Sequence, residues 1–523
     1  MARTSMVTAS IEELLRIATG DLPLSRKRFF RPSMFYTLTR DLFSLWCHYH
    51  APKEAAVDES TRYDQVRLHR GANFENEWLN KNYPEARWVE PDYGIAALRA
   101  TLEAMLGGAE SIRAPQLWLL PEEVYGKADL LVRDDSKASR LGAYHYRVVE
   151  IKLAKNLSEY HILQTALYNH ILGKVQGFTP AAFQVILAGE VTPIKQKSAA
   201  ALLASKLELW RDIRDGHFIP DPIGPDKTLS PWRVYGNAVL EERRDLTLIA
   251  DVGPDTRRLL VSKTDIRRVD DLYDRDKDSL AKTLRPKRAA RLLGHAQAHK
   301  QNKPLLIPGK SYEVLRAERG LYFDFETSDW VHPSEPYHIY LIGVWDQQQG
   351  TFINFLGRGF QDEERIFNEF LDYVGDAKSA KLYHWSSYEV SEMRTLVKRH
   401  PRLKVRIGKL IKSCVDLKEA VKRNVYLPVS SYSIKKVAPF MGFSWRHKDV
   451  GALSSMAYYW DYLEDSDPQT IQKVLDYNED DCKAMAHVDE KLDALFNGPV
   501  IPEPAKQVSG IQDQGTGLPP TRQ

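Results

Sequence analysis

Apolar and polar positions in the first half of the chain alternate over short stretches that are rich in β-branched and aromatic residues. This pattern predicts strands at residues 127–133, 144–153 and 182–188, after a shorter apolar run at 117–120. Residues 158–172 form a predicted helix, because Leu163, Leu167 and Ile171 share one face and Ser158 is a suitable N-cap. The pattern indicates a mixed α/β domain.

A second α/β pattern begins near residue 320. Strand-like apolar stretches occur at residues 320–327, 337–344, 351–356 and 381–385, and a predicted helix at 363–374 separates the last two. The order β-β-β-α-β-α is that of an RNase H-like core, a mixed sheet with helices on its faces.

Proline and glycine cluster at residues 220–231 and again at 304–309, and these clusters divide the chain. We predict domains at residues 1–225 and 315–497, joined by a charged helical connector at 240–303. Residues 499–523 are rich in proline, glycine and glutamine, so a disordered tail is expected there. A length of 523 residues agrees with this division.

Composition excludes several classes of protein. Hydrophobic residues make up 43% of the chain and charged residues 27%, as in ordinary globular proteins. No apolar run approaches the ~20 residues that span a bilayer, and the N-terminus lacks the order of a signal peptide. Cys47, Cys414 and Cys482 lie far apart and are too few for a four-thiolate site, so we expect no iron–sulfur cluster and a cytoplasmic location.

A basic block stands out in a chain whose net charge is only +3. Residues 279–312 contain no acidic residue, although they carry eight lysines and arginines. Such a block is either a solvated helix face or a binding surface for a polyanion. On the second interpretation the candidate nucleic-acid contacts are Arg285, Lys287, Arg288 and Arg291.

A first carboxylate cluster falls on the N-terminal strands. Asp129 is predicted on one strand, and Glu150 and Lys152 share a face of the next, so adjacent strands can bring all three together. Two hard oxygen ligands suit Mg²⁺ or Mn²⁺, and the lysine can stabilise the charge that develops on a phosphate. Gln164 and Tyr168 lie on one face of the following helix and can orient a scissile strand.

The ordered set Gly126-Lys-Ala-Asp129, Glu150-Ile-Lys152 and Gln164-x-x-x-Tyr168 resembles the RecB-like branch of the PD-(D/E)xK nucleases over residues 34–190. The resemblance implies a restriction-endonuclease-like domain, one or two metal ions on Asp129 and Glu150, and a catalytic Lys152. It also implies a helical metal ligand, for which Glu75 is the candidate. The alternative is a surface salt-bridge pair without catalytic function.

A second carboxylate cluster is predicted in the C-terminal domain. Asp324 and Glu326 share a face of an apolar strand, where two buried acids are expensive unless a cation offsets their lost hydration. Glu389 begins a helix after a strand, and Tyr477 and Asp481 are four apart on a late helix. These four acids can hold two metal ions about 4 Å apart, with Tyr477 orienting the attacking water.

The motifs Asp324-Phe-Glu326-Thr and Tyr477-x-x-x-Asp481 resemble the DEDD family of 3′–5′ exonucleases, tyrosine subtype, and the YprB-type RNase H-like domains. The resemblance spans residues 319–495. It departs at the second motif, where His384-Trp-Ser-Ser-Tyr-Glu389 carries Glu instead of Asp. We interpret Asp416 and Asp480 as solvated or capping residues rather than ligands.

The connector resembles a helix-hairpin-helix unit through Val252, Gly253 and Ile266, and an ordinary helical linker is an equal alternative. The whole order is similar to a family of bacterial RecB-type nucleases. We therefore expect a divalent-metal-dependent DNA nuclease with a RecB-like site and a DEDD-type 3′–5′ exonuclease site. The alternatives are a nucleic-acid-binding adaptor with one or both sites inactive, and an RNase.

Overall fold

A computed structural model describes residues 9–20, 28–90, 94–328, 336–376, 379–448 and 450–498 of the chain. The predicted disordered tail at residues 499–523 lies outside the described residues. Within them, no helix is both long and apolar enough to cross a lipid bilayer.

The secondary structure alternates between helices and short strands throughout the described part. The α-helices are α1 (Ile11–Thr19), α2 (Phe35–Arg40), α3 (Leu42–His50), α4 (Arg62–Asn82), α5 (Ile95–Leu106), α6 (Glu159–Gln176), α7 (Gln196–Arg214), α8 (Arg233–Glu242), α9 (Pro254–Lys263), α10 (Lys277–Ala281), α11 (Pro286–Gln301), α12 (Glu363–Val374), α13 (Tyr388–Arg399), α14 (Lys404–Ile411), α15 (Leu417–Asn424), α16 (Ile434–Phe440), α17 (Ala452–Asp465) and α18 (Pro468–Asn497). The strands are β1 (Arg87–Trp88), β2 (Ser111–Arg113), β3 (Gln116–Leu119), β4 (Val124–Lys127), β5 (Leu130–Asp134), β6 (His145–Lys152), β7 (Ala182–Leu187), β8 (Glu190–Lys195), β9 (Leu305–Leu306), β10 (Arg319–Ser328), β11 (His338–Asp346), β12 (Thr351–Leu356), β13 (Ala380–His384), β14 (Cys414–Asp416) and β15 (Val425–Tyr426).

The N-terminal domain is built on a six-stranded mixed sheet with the order β1-β2-β5-β6-β7-β8. Strand β6 pairs antiparallel with β5 and parallel with β7, and α6 makes the crossover between the parallel strands. The helix begins directly after Ser158, as predicted, and continues to Gln176 because Leu172 and Val175 are also buried in the core. This arrangement places Glu150, Lys152 and Gln164 on neighbouring elements.

One predicted strand is divided in two. Residues 127–133 were expected to form a continuous strand carrying Asp129, but β4 ends at Lys127 and β5 begins at Leu130. The chain leaves the small β3–β4 sheet there and enters the large sheet. Asp129 therefore occupies a bend just before β5, where its backbone carbonyl accepts a hydrogen bond from the Ala114 N–H at 3.1 Å.

The connector is helical and has an apolar core of its own. This core contains buried leucines from the four helices α8, α9, α10 and α11, among them Leu240, Leu260 and Leu292. Helix α8 also packs against α3 of the N-terminal domain, where Val239 meets Phe43 and Cys47. The connector is thus a packed structural unit rather than an extended linker.

The C-terminal domain contains a five-stranded sheet with the order β12-β11-β10-β13-β14. The first three strands along the chain pair antiparallel, and β13 and β14 run parallel to β10. The predicted bounds of α12 and β12 are confirmed, and the other three predicted strands differ from the structure by one or two residues. The long helix α18 packs with α17 across β10 and β11.

Helix α4 contacts both α/β domains. Near its start, Arg62 binds both carboxylate oxygens of Asp461 on α17 at 2.7 Å, and Val66 joins an apolar cluster with Trp460. Near its end, Phe74 and Leu79 pack against the apolar side chains of β5, β6 and β7. One helix therefore runs from the C-terminal domain to the sheet that carries Glu150.

Candidate metal centres

The C-terminal domain gathers three acids from two elements. Asp324 and Glu326 lie on β10 and Asp481 lies on α18, and one oxygen from each carboxylate falls within 4.8 Å of the others. Throughout the described ranges, this is the only group of three His, Cys, Asp or Glu side chains that meets this distance. The sequence prediction that these three residues converge agrees with the structure.

The electrostatics of this group favour a bound cation. Burial, followed by the charges of Asp481, Glu326 and Glu389, raises the pKa of Asp324 well above its usual range. Burial and Asp481 also raise the pKa of Glu326 to about 8. Because carboxylate oxygens are the ligands preferred by Mg²⁺ and Mn²⁺, a divalent cation fits both the donor set and the excess of negative charge.

Two residues that the sequence analysis did not single out bind Asp481. Lys435 on α16 forms an ion pair with its Oδ1, and the indole N–H of Trp445 donates a hydrogen bond to the same oxygen at 2.7 Å. The Lys435 ammonium also lies 4.1 Å from the ring centres of Trp445 and Tyr477. A positive charge is therefore fixed beside the acids, next to the tyrosine that is predicted to orient water.

Tyr477 lies in the interior of this site. Its side chain is 3% exposed and hydrogen-bonds to Asp481, one helical turn further along α18. Burial and the charge of Asp481 raise the pKa of its hydroxyl. Tyr477 therefore stays protonated and can donate a hydrogen bond.

Asn478 and Ser455 orient the two acids on β10. Asn478 donates a hydrogen bond to Asp324 Oδ2 at 2.9 Å, and Ser455 on α17 donates one to Glu326 Oε2 at 3.3 Å. Gly343 pairs with Asp324 across β10 and β11, and a Cβ at this position would overlap Oδ1 of Asn478. The sequence could have indicated Asn478 as a site residue, because Asn478 and Asp481 lie three residues apart on one helix face.

Glu389 lies near this group but is not part of it. It is buried at the start of α13, and its Oε2 is 3.3 Å from Nδ1 of His384. Its charge contributes to the raised pKa of Asp324, after burial and the charges of Asp481 and Glu326. Its role as a fourth ligand stays a prediction.

The other two acids of this region have structural partners. Asp416 caps α15 by accepting a hydrogen bond from the Glu419 N–H at 3.0 Å, which confirms the capping interpretation. Asp480 is buried and forms an ion pair with Arg446 at 2.9 Å. The interpretation of Asp480 as a solvated or capping residue is therefore wrong, because its side chain is buried and pairs with Arg446.

The N-terminal domain brings Asp129, Glu150 and Lys152 into contact. Lys152 Nζ is 3.2 Å from Asp129 Oδ2 and 2.7 Å from Glu150 Oε2. Asp129 Oδ2 also accepts a hydrogen bond from the Ile151 N–H at 2.7 Å, and Glu150 Oε1 accepts one from the Asp129 N–H at 3.0 Å. The lysine thus bridges the two carboxylates at the edge where β5 and β6 pair.

The electrostatic environment of Glu75, the predicted helical ligand, includes the charges of this cluster. Burial, followed by the charge of Asp129, raises the pKa of Glu75 on α4 to about 7 and that of Glu150 to about 8. Burial opposes the charged form of Lys152, yet the carboxylates of Asp129 and Glu150 hold its pKa above the usual range. Carboxylate oxygens are ligands that divalent cations bind, but Glu75, Asp129 and Glu150 are not among the described residues whose oxygens gather within 4.8 Å of one another, and their role as metal ligands stays a prediction.

The two predicted helix residues take different positions. Gln164 donates a hydrogen bond to Glu150 Oε2 at 3.0 Å. The Tyr168 hydroxyl donates one to the carbonyl of Lys127 at 2.6 Å, and a Cβ on Gly126 would come within 2.9 Å of the Tyr168 ring. Gln164 therefore acts on the carboxylate directly, whereas Tyr168 fixes the segment that leads to Asp129.

The four basic candidates of the connector also divide into two pairs. Arg285 and Lys287 are exposed at the start of α11. Arg288 hydrogen-bonds to Thr256, and Arg291 binds Asp251 and the carbonyl of Lys422. The first pair is more accessible to a polyanion, since the second already has partners inside the protein.

Comparison with known families bears on the C-terminal domain. Residues 321–493 match the family model of the RNase_H superfamily. This part of the chain is an RNase H-like domain. Its fold is of the nuclease type and indicates a phosphodiester hydrolase that acts on nucleic acid; such nucleases generally use divalent metal ions. A search of curated proteins gave no match.

Proposed function

We propose that the protein is a divalent-metal-dependent nuclease that hydrolyses phosphodiester bonds of DNA at two sites. The observation that carries the proposal is the convergence of Asp324, Glu326 and Asp481 within a domain of the RNase H-like superfamily. The C-terminal site is proposed to act as a DEDD-type 3′–5′ exonuclease, and the N-terminal site as a RecB-like nuclease.

At the C-terminal site, Asp324, Glu326 and Asp481 would hold the metal ions, with Glu389 as a further candidate. A bound divalent cation lowers the pKa of water and neutralises the charge of the phosphate. The protonated Tyr477 hydroxyl would position the attacking water. Lys435 is placed to offset negative charge on the scissile phosphate, because its ammonium is fixed on Asp481.

At the N-terminal site, Glu75, Asp129 and Glu150 would hold the metal. Lys152 would stabilise the charge that develops on the phosphate, since it stays protonated between the two carboxylates. Gln164 keeps Glu150 in position, and Tyr168 holds the approach to Asp129. The exposed residues Arg285 and Lys287 would bind the sugar–phosphate backbone without reading sequence.

The test uses end-labelled DNA strands, the purified full-length protein and Mg²⁺ or Mn²⁺. Asp324→Asn should abolish stepwise loss of nucleotides from the 3′ end, and Glu150→Gln should abolish the remaining cleavage. The exposed acid Glu59, changed to Gln, is a matched control that should leave both unchanged. If the double variant cuts as fast as the unmodified protein, the proposal is wrong.

A second function is a nucleic-acid-binding adaptor with an inactive C-terminal site, because Glu389 lies outside the three-acid group. Titration calorimetry with Mn²⁺ distinguishes the two functions. If the C-terminal site binds no metal, the heat of Mn²⁺ binding is the same for the unmodified protein and for Asp324→Asn. If the site is a metal-dependent nuclease site, the variant gives less heat. Matched DNA and RNA strands in the cleavage assay distinguish a DNase from an RNase.

A further inference from the structure

Two arginines and two tyrosines form a compact surface group next to the N-terminal site. The rings of Tyr36 on α2 and Tyr160 on α6 meet edge to face, with their centres 5.2 Å apart. The Arg40 guanidinium lies 4.7 Å from the centre of the Tyr36 ring and 5.6 Å from that of Tyr160. Arg67 on α4 lies 5.9 Å from the Tyr36 ring. We call these four residues the arginine–tyrosine cluster.

The charges of this cluster are not balanced. Both arginines are exposed, and no carboxylate of the described ranges lies within ion-pair distance of either one. By contrast, Arg62 on the same helix binds Asp461 with both nitrogens of its fork. Arg67 also hydrogen-bonds to Tyr36, a neutral partner, so the positive charges of both guanidinium groups remain available to an anion.

The cluster adjoins the predicted catalytic residues. Tyr160 stands one helical turn before Gln164, which binds Glu150. Arg67 and Glu75 are both on α4, about 12 Å apart at the rise of an α-helix. Burial, followed by the charges of Lys152, Arg40 and Arg67, lowers the pKa of His161 to about 4, so the two arginines share an electrostatic environment with the catalytic lysine.

The side chains indicate the class of ligand. Guanidinium groups bind phosphate oxygens, and tyrosine rings offer faces and edges on which unpaired bases stack. In a duplex the base faces are covered by their neighbours, so this combination favours a single strand. Packing of the arginines on the tyrosine rings accounts for these contacts, and it leaves both positive charges free of a carboxylate among the described residues.

We propose that the arginine–tyrosine cluster is a binding subsite for single-stranded nucleic acid that leads a strand to the Asp129–Glu150–Lys152 site. This inference deepens the proposed function and depends on it for the direction of the strand. Arg40 and Arg67 contact two phosphates, and Tyr36 and Tyr160 stack on bases. The subsite lies on the face of α4 between the N-terminal site and the C-terminal domain.

Binding is measured by fluorescence anisotropy with a labelled single strand of mixed sequence and with its duplex, in EDTA so that no cleavage occurs. In the Arg40→Ala/Arg67→Ala variant, affinity for the single strand should fall more than tenfold, and duplex affinity should change less. The slope of log affinity against log salt should become shallower by about 1.4, as expected for two lost phosphate contacts on a single strand.

Further variants separate stacking from charge and from misfolding. Tyr160→Leu should weaken single-strand binding about five- to hundredfold without changing the salt slope. Arg258→Ala is the matched control, because Arg258 is exposed on α9 and pairs with Asp255; its binding should equal that of the unmodified protein. Equal losses for single strand and duplex, or no loss in the double variant, would overturn the inference.

The same variants distinguish this inference from the proposed function. If the protein cleaves DNA and the double variant binds and cleaves normally, the subsite is refuted and the nuclease proposal stands. If no cleavage occurs in Mg²⁺ or Mn²⁺ but the double variant loses single-strand binding, the subsite stands and the nuclease proposal fails.

Discussion

At the scale of single residues, both acidic sites contain a lysine that pairs with their carboxylates. Each places a lysine directly on the carboxylates, Lys152 in the N-terminal domain and Lys435 in the C-terminal domain. Buried carboxylates without a counter-charge are expensive, and burial raises the pKa of both Glu150 and Glu326. A fixed ammonium lowers the cost while leaving oxygens available to a metal ion.

Replacing Lys435 tests whether this ammonium serves the reaction. In Lys435→Met, Asp481 loses its ion pair, so Mn²⁺ affinity at the C-terminal site should rise because a competing positive charge is gone. The rate of 3′ nucleotide removal should nevertheless fall about 10- to 100-fold, as for other residues that orient metal ligands. Calorimetry and single-turnover cleavage measure the two effects.

The matched control for this experiment is Lys409→Met, which removes an exposed lysine on α14. It should change neither Mn²⁺ affinity nor the cleavage rate. If Mn²⁺ affinity and cleavage rate both fall in Lys435→Met, the prediction is wrong, and the lysine only maintains the structure of the site.

At the scale of elements, the C-terminal site depends on how closely α18 approaches the sheet. Asn478 reaches Asp324 only because the facing residue on β11 is Gly343, which has no Cβ. Gly343 is therefore needed for the close packing of α18 on β11, and it does not serve as a turn residue. Its small size on β11 allows Asn478 to orient the carboxylate of Asp324 on β10.

Gly343→Ala should force Asn478 away from Asp324. We expect a loss of about 1–3 kcal/mol in the free energy of unfolding from overpacking, together with a lower exonuclease rate. Denaturant unfolding and cleavage assays measure both. Gly408→Ala on α14 is the matched control, because nothing lies within 4 Å of a Cβ at that position. Equal behaviour of the two variants would contradict this account.

At the scale of the whole molecule, helix α4 joins the two α/β domains. Its first turns bind α17, which also supplies Ser455 to Glu326, and its later turns carry Glu75 to the N-terminal site. The arginine–tyrosine cluster lies on the same helix. The two acidic sites are thus parts of one assembly rather than independent domains on a linker.

Global stability without metal should depend on pH through the buried acids. Burial and the charge of Asp481 raise the pKa of Glu326 in the folded protein to about 8, whereas its usual value is 4.5. The stabilisation is therefore fully present below about pH 4.5 and is lost progressively as the pH rises from there to about 8. In EDTA, the Tm of the unmodified protein should fall more steeply between pH 5 and 8 than that of Glu326→Gln.

The comparison with Glu326→Gln cancels the titrating groups that lie away from this site, including His161, whose lowered pKa acts in the opposite direction. Differential scanning fluorimetry across this pH range gives both curves. Parallel curves would show that Glu326 ionises normally in the folded protein.

The sequence by itself predicted several strands and helices of the two α/β domains and identified the acids that those domains bring together. Residues 351–356 and 363–374 were predicted with their observed bounds, because an alternating or helical apolar pattern encodes burial locally. The pairs Asp324 and Glu326, and Glu150 and Lys152, followed from the same two-residue period of a strand. The match of residues 321–493 to the RNase_H superfamily agrees with that prediction of fold.

Only the tertiary structure decided what surrounds those acids. Lys435 and Trp445 reach the site from segments with no local acidic pattern, and the bend that removes Asp129 from its predicted strand arises where the chain changes sheets. Local periodicity specifies which face of an element is buried, but it carries no information about which distant elements meet there. Those tertiary contacts depend on the packing of the whole chain, and they determine which charged groups surround each carboxylate.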